Sequence, residues 1–286
     1  MSDARILDRR YGRYDGPRLG VGHAVGSVVR QTVQRCMGLH RPARWKLLPF
    51  LSVVIAYLPA ITFVGLAALL PRRLHGAIPP ISEYYGFVTA AITLFVLFVA
   101  PEALCPDRRS RVLSLYLASP LNRQTYLLAK VAAVMLILLL VTTGPPLLFL
   151  LGISLQGSGP VGVAGFLAAF GRIAAAGVML AAVYTALSLG ISSLTDRRAL
   201  ASGATLLVLF GLGVVAGILH FALGGPVWLM LLAVQRMPFE LVQRIFGRPG
   251  FFQDLSTAAL VAAHVAYVGI GAAVCWYRYR SLQVTR

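Results

Sequence analysis

Six apolar runs, at about residues 48–70, 86–104, 126–151, 173–194, 199–221 and 255–277, dominate the chain. Crossing the hydrocarbon core of a bilayer takes about 20 helical residues, so each run is long enough to span it. With 58% apolar and 12% charged residues in a chain of 286, and a mean hydropathy of +0.78, a water-soluble fold of this size is excluded. The chain reads as an all-α integral membrane protein with six transmembrane helices.

The net charge of +17 is informative through its placement. Ten basic residues lie in residues 1–46, five in 101–130, two at Arg197 and Arg198 and three after residue 277. Arg72, Arg73, Arg236, Arg244 and Arg248 fall on the other side, and Arg172 sits at a span end. Lys and Arg accumulate in cytoplasmic loops, so both termini are expected to be cytoplasmic, in the cell inner (plasma) membrane. The N-terminal arginines show no helix-turn-helix or zinc pattern, and nucleic acid is not an expected partner. The wide spacing of Cys36, Cys105 and Cys275 along the chain fits no clustered zinc-ligand pattern, so no metal site is expected. Their placement on or near the cytoplasmic side also argues against a disulfide.

Residues 101–130, PEALCPDRRSRVLSLYLASPLNRQTYLLAK, put a basic amphipathic segment between spans two and three. The pattern predicts a helix over 107–119, opened by Asp107 as a cap and stopped by Pro120. Val112, Leu115, Tyr116 and Ser119 recur at helical spacing, and Arg108, Arg109 and Arg111 gather at the start. An ordinary loop whose basic residues only set topology has the same composition. The order of parts separates the two: an acid at the end of a span, Asp-Arg, an apolar helix, Ser-Pro-Leu, a basic residue, then Tyr-Leu-Leu-Ala-Lys. This order closely resembles the permease subunits of ABC-2 type ABC exporters.

The resemblance implies that 107–119 is a cytoplasmic coupling helix docking on an ATP-binding ABC subunit. Glu102, Asp107, Arg108, Arg109, Arg111, Leu115, Tyr116 and Pro120 are its candidate coupling residues. Glu102 is expected to neutralise the adjacent arginines or to join the coupling linkage. A second permease copy is implied as well. No cofactor is expected in this chain, with ATP and Mg on the partner subunit. The sequence agrees with that division: a P-loop needs Gly-Lys, and the two lysines, Lys46 and Lys130, follow Trp45 and Ala129.

Residues 1–23 read as a mobile basic cytoplasmic tail. Residues 24–46 hold an interfacial amphipathic helix, with Val25, Val28, Val29, Val33 and Met37 on one face. The permease domain is expected over 47–280 and a short cytoplasmic tail over 281–286. Two apolar pieces within 226–247, divided by Pro238, are too short to span and read as re-entrant or interfacial outer helices. Pro59 and Gly144-Pro145-Pro146 should kink spans one and three, and Gly213 with Gly217 offers a small-residue contact in span five.

No catalytic constellation stands up. Ser192 and His264 suggest a Ser-His pair, but they lie at different depths of their spans. An ion-coupled secondary transporter would need acids within the membrane, and the six runs hold none away from their edges. His264 and Arg172 are the candidate residues of a substrate path. A membrane scaffold that only anchors a cytoplasmic partner is the remaining alternative. Apolar spans without internal charge favour an amphipathic or lipid-like cargo.

Overall fold

The computed structural model describes residues 20–39, 42–71, 78–110, 112, 116 and 121–281. No strand occurs among them. Helix α1 (Val21–Cys36) precedes six helices long and apolar enough to cross a membrane. These are α2 (Leu47–Leu69), α3 (Ile81–Arg109), α4 (Arg123–Leu155), α5 (Gly162–Ser192), α6 (Arg198–Ala222) and α8 (Thr257–Ser281). Between α6 and α8 lie a 3-10 segment, Val227–Leu232, and helix α7 (Met237–Ile245).

The apolar runs locate all six helices, but several extend beyond them. Helix α5 begins at Gly162, so Arg172 lies ten residues inside it rather than just ahead of a span. A long flexible side chain can reach toward headgroups from within a helix, so a charge does not end one as it ends an apolar run. Helix α3 likewise starts early, at Ile81, and carries on through residues expected to open the next element.

Proline chemistry explains the irregular end of α3. The π turn Phe95–Val99 passes into a 3-10 turn, Ala100–Ala103, and then into Cys105–Arg109. Pro101 has no N–H to offer the carbonyl of Leu97. The hydroxyl of Ser202, on α6, donates to that carbonyl instead. A freed backbone group in a membrane needs such a neighbour. Helix α4 is divided at Thr143 into Arg123–Thr142 and Gly144–Leu155, where Gly144-Pro145-Pro146 was expected to bend it. Pro59 lies within the continuous helix α2.

Helix α2 packs on the halves of α3 and α4 far from residue 107. Tyr84 Oη donates to the Ala56 carbonyl at 2.6 Å, and Gln156 Nε2 donates to Val64 O at 2.9 Å. The Phe63 ring lies 5.3 Å from Phe87 and 6.1 Å from Phe149. Helices α5 and α8 pack closely through Gly190 and Gly271. A Cβ on Gly271 would stand 2.4 Å from the carbonyl oxygen of Ala186. The close glycine contact is therefore between spans four and six. Gly217 has open space around it, and a Cβ on Gly213 would meet only Ala233, at 3.9 Å.

At the end away from residue 107, Glu240 organises the approach to α8. Its buried carboxylate accepts the N–H groups of Phe251 at 2.8 Å and Phe252 at 3.3 Å. A Cβ on Gly250 would lie 1.6 Å from Glu240 Oε1. Gly250→Ala should therefore expel the carboxylate and leave the buried Phe252 amide and the half-buried Phe251 amide without it, costing about 1–3 kcal/mol. Thermal unfolding in detergent measures this, and an unchanged melting temperature would show that the loop adapts freely.

Candidate functional site

Helix α1 carries its valines where the sequence put them. Val28, Thr32 and Cys36 are buried, and Val25, Val29, Val33 and Met37 pack beside them. This face lies mainly on Arg123–Thr142 of α4. The contact brings Arg35, in the last turn of α1, to the end of α3. There Asp107 is 1% exposed.

Asp107 does not cap a helix. The turn that contains it begins after Leu104, within α3, and no side chain caps it. One carboxylate oxygen receives Arg35, and the other receives Lys130 Nζ at 2.6 Å and Tyr126 Oη at 2.8 Å. Lys130 is also 1% exposed, with its ammonium 5.4 Å from the Tyr126 ring centroid and 5.9 Å from that of Tyr116. A charge buried this deeply needs such partners. Burial works against the Arg35 charge, but the hydrogen bond and field of Asp107 outweigh it and raise the guanidinium pKa. Three helices, α1, α3 and α4, thus meet on one carboxylate.

The arginines around this cluster cap other helices. Arg108 donates to the carbonyl of Ser193, just past the end of α5. Arg123 donates to the carbonyls of Tyr279 and Arg280 in the last turn of α8. Helix C-termini leave carbonyls unpaired and favour cations, which accounts for both contacts. Glu102 pairs with Arg198, at the start of α6, and that guanidinium lies 5.2 Å over the Trp45 ring. Glu102 therefore has a salt bridge to an arginine distant in sequence, to which the sequence reading gives only a topological role. The last turns of α1 and α8 share this basic end of the molecule.

The sequence-derived coupling residues divide here. Glu102, Asp107, Arg108 and Tyr116 come together around the cluster, and Arg109 is exposed beside it. Tyr116 adds a long hydrogen bond to Gln31 of α1 at 3.4 Å. Arg111, Leu115 and Pro120 lie outside the described residues, as does most of the helix expected over 107–119. Within it, the Tyr116 N–H donates to the Val112 carbonyl at 3.3 Å. Sequence reasoning missed Arg35, Tyr126, Lys130 and Arg198. Lys130 had a visible signal, as the one lysine inside an apolar run.

The two candidate path residues occupy different surroundings. Arg172 is exposed on α5. His264 is buried in α8, with Nδ1 2.6 Å from the Leu260 carbonyl and its ring 5.4 Å from Tyr267. The carbonyl can only accept, so Nδ1 carries the proton.

A family model described as ABC-2 family transporter protein matches residues 79–276, more than half of the chain. The chain belongs to the ABC-2 transporter family. It is a multi-pass membrane permease, and α3 to α8 fall largely within the matched region. Helix α1, with Arg35, lies ahead of it, whereas Asp107 and Lys130 fall inside it. No curated protein matches the permease significantly. Members of this family are the non-catalytic membrane components of transporters, and membership implies an ATP-binding ABC partner and, usually, dimerisation.

Proposed function

We propose that this permease is the membrane-spanning subunit of an ATP-driven exporter in the cell inner (plasma) membrane. Two copies assemble with two separate ATPase subunits, and the basic end, with both termini, faces the cytoplasm. The concentration of arginines toward that end supports the orientation. ATP and Mg reside on the partner subunit, and this chain contributes the docking surface at residues 107–119.

The observation that carries the reading is the Asp107 cluster. A push delivered at exposed Arg109 and at Tyr116 is shared at once by α1, α3 and α4 through Arg35, Asp107 and Lys130. Arg108 and Glu102 extend the connection to the end of α5 and the start of α6. Closure of the ATPase subunits thereby tilts α3 and α4 and opens an outward path at the interface between permease copies. Arg172 and His264 are the residues assigned to contact an amphipathic or lipid-like cargo along that path.

The test uses Arg109→Glu with Arg111→Glu, leaving Arg108 in place because it caps α5. Co-purification with the ATPase subunit should fall at least about tenfold, since like charges would then face the docking partner. Thermal stability of the permease alone should change by less than about 0.5 kcal/mol. Undiminished co-purification from an intact fold would remove the docking role. Proteoliposome uptake driven by a proton gradient without ATP, lost in His264→Ala, would establish an ion-coupled carrier instead.

A further inference from the structure

A groove of about 270 Å³ at the basic end is lined by Arg123, Gln124, Leu127, Trp276, Tyr279 and Arg280. It runs between the first turns of α4 and the last turns of α8. Arg123 and Leu127 are four residues apart on α4, and Trp276 and Arg280 are four apart on α8. Each helix therefore offers a cation near its end and an apolar side chain about 6 Å deeper. Arg123 spans the gap to the Tyr279 and Arg280 carbonyls, which fixes the two cation levels together.

The lining holds two arginines and no acid. Arg280 is exposed, and its side chain has no ion-pair or hydrogen-bond partner among the described residues. Trp276 is 45% exposed. Tryptophan one turn inside a row of arginines is the arrangement found at a membrane–water boundary.

We propose that this groove binds an anionic phospholipid of the surrounding bilayer, with the phosphate at Arg280 and Arg123 and an acyl chain along Leu127 and Trp276. Charge complementarity selects the anionic headgroup, and the apolar wall one turn deeper selects a lipid over a soluble phosphate. A basic hollow between transmembrane helices is suited to such headgroups. The site adjoins the Asp107 cluster through Tyr279, whose ring lies 6.0 Å from that of Tyr126, and does not depend on the ATPase reading.

Native mass spectrometry of the detergent-purified permease, titrated with phosphatidylglycerol and separately with phosphatidylcholine, tests the assignment. Arg280→Gln should weaken phosphatidylglycerol binding about fivefold, the effect of one headgroup-level arginine. Trp276→Ala should weaken it too, by removing the wall. Phosphatidylcholine should bind weakly and equally to all variants, and Arg236→Gln, an exposed arginine just ahead of α7, should leave every titration unchanged. Three results would each overturn the proposal: equal affinity for both lipids, wild-type phosphatidylglycerol binding by Arg280→Gln, or full competition by millimolar inorganic phosphate.

Discussion

An Asp107→Asn permease should lose about 3–5 kcal/mol of stability, the cost of removing one member of a buried ion cluster. The amide cannot neutralise Lys130, which is 1% exposed and has its ion pair with this carboxylate. Arg35 loses the same partner. The loss should appear as a lowered melting temperature in detergent and a shift toward aggregate on size exclusion. Replacing all the charges together, as Asp107→Leu with Lys130→Met and Arg35→Met, should recover much of it, because no unpaired charge then remains buried. Recovery would show that the cluster is retained for something other than stability, and transport by the stable triple variant would measure that directly. A single Asp107→Asn variant that melts with the wild type would mean that the carboxylate does not hold the three helices.

The second large effect is expected from the smallest substitution in α8. Gly271→Ala places a methyl group 2.4 Å from the Ala186 carbonyl oxygen and 2.6 Å from its carbon. Both are backbone atoms of α5, so no side chain can swing away, and α5 and α8 must separate along their contact. Overpacking of this kind costs about 1–3 kcal/mol, with more expected where backbone is the obstacle. Gly269→Ala is the matched control, since its Cβ would enter open space on the same helix. It should be neutral or slightly stabilising, because alanine favours the helix over glycine. Equal melting temperatures for the two variants would contradict the close approach of α5 and α8.

The spans were legible because the bilayer imposes length and apolarity on every crossing segment, whatever its neighbours. Helix α1 was legible for a related reason, since Val25, Val28, Val29 and Val33 share one face at helical spacing. Span ends were less so. A run of apolar residues stops at Arg172, but the backbone ladder continues back to Gly162. The Asp107 cluster was hidden for a different reason: its members sit at positions 35, 107 and 130, and no local pattern says which charges will meet. Local propensity made Asp107 a helix cap, and tertiary burial made it a counter-ion. Glu102 follows the same logic, finding Arg198 across the fold rather than only a neighbour in sequence. Gly271 was overlooked because a glycine that meets backbone on another helix has no spacing signature of its own, unlike Gly213 and Gly217.

The division of α4 at Thr143 bears on how far any displacement at the basic end can travel. Arg123–Thr142 is held with α1, whereas Gly144–Leu155 is packed on α2. The joint is pinned from one side, where Thr142 Oγ1 donates to the Gly177 carbonyl at 3.0 Å and Gly177 leaves no room for a Cβ beside Thr143. Span three is therefore two packed halves joined at Thr143 rather than one continuous α-helix. Under the proposed coupling, the near half would move with α1 while most of the far half stays packed on α2, and span three would bend at Thr143.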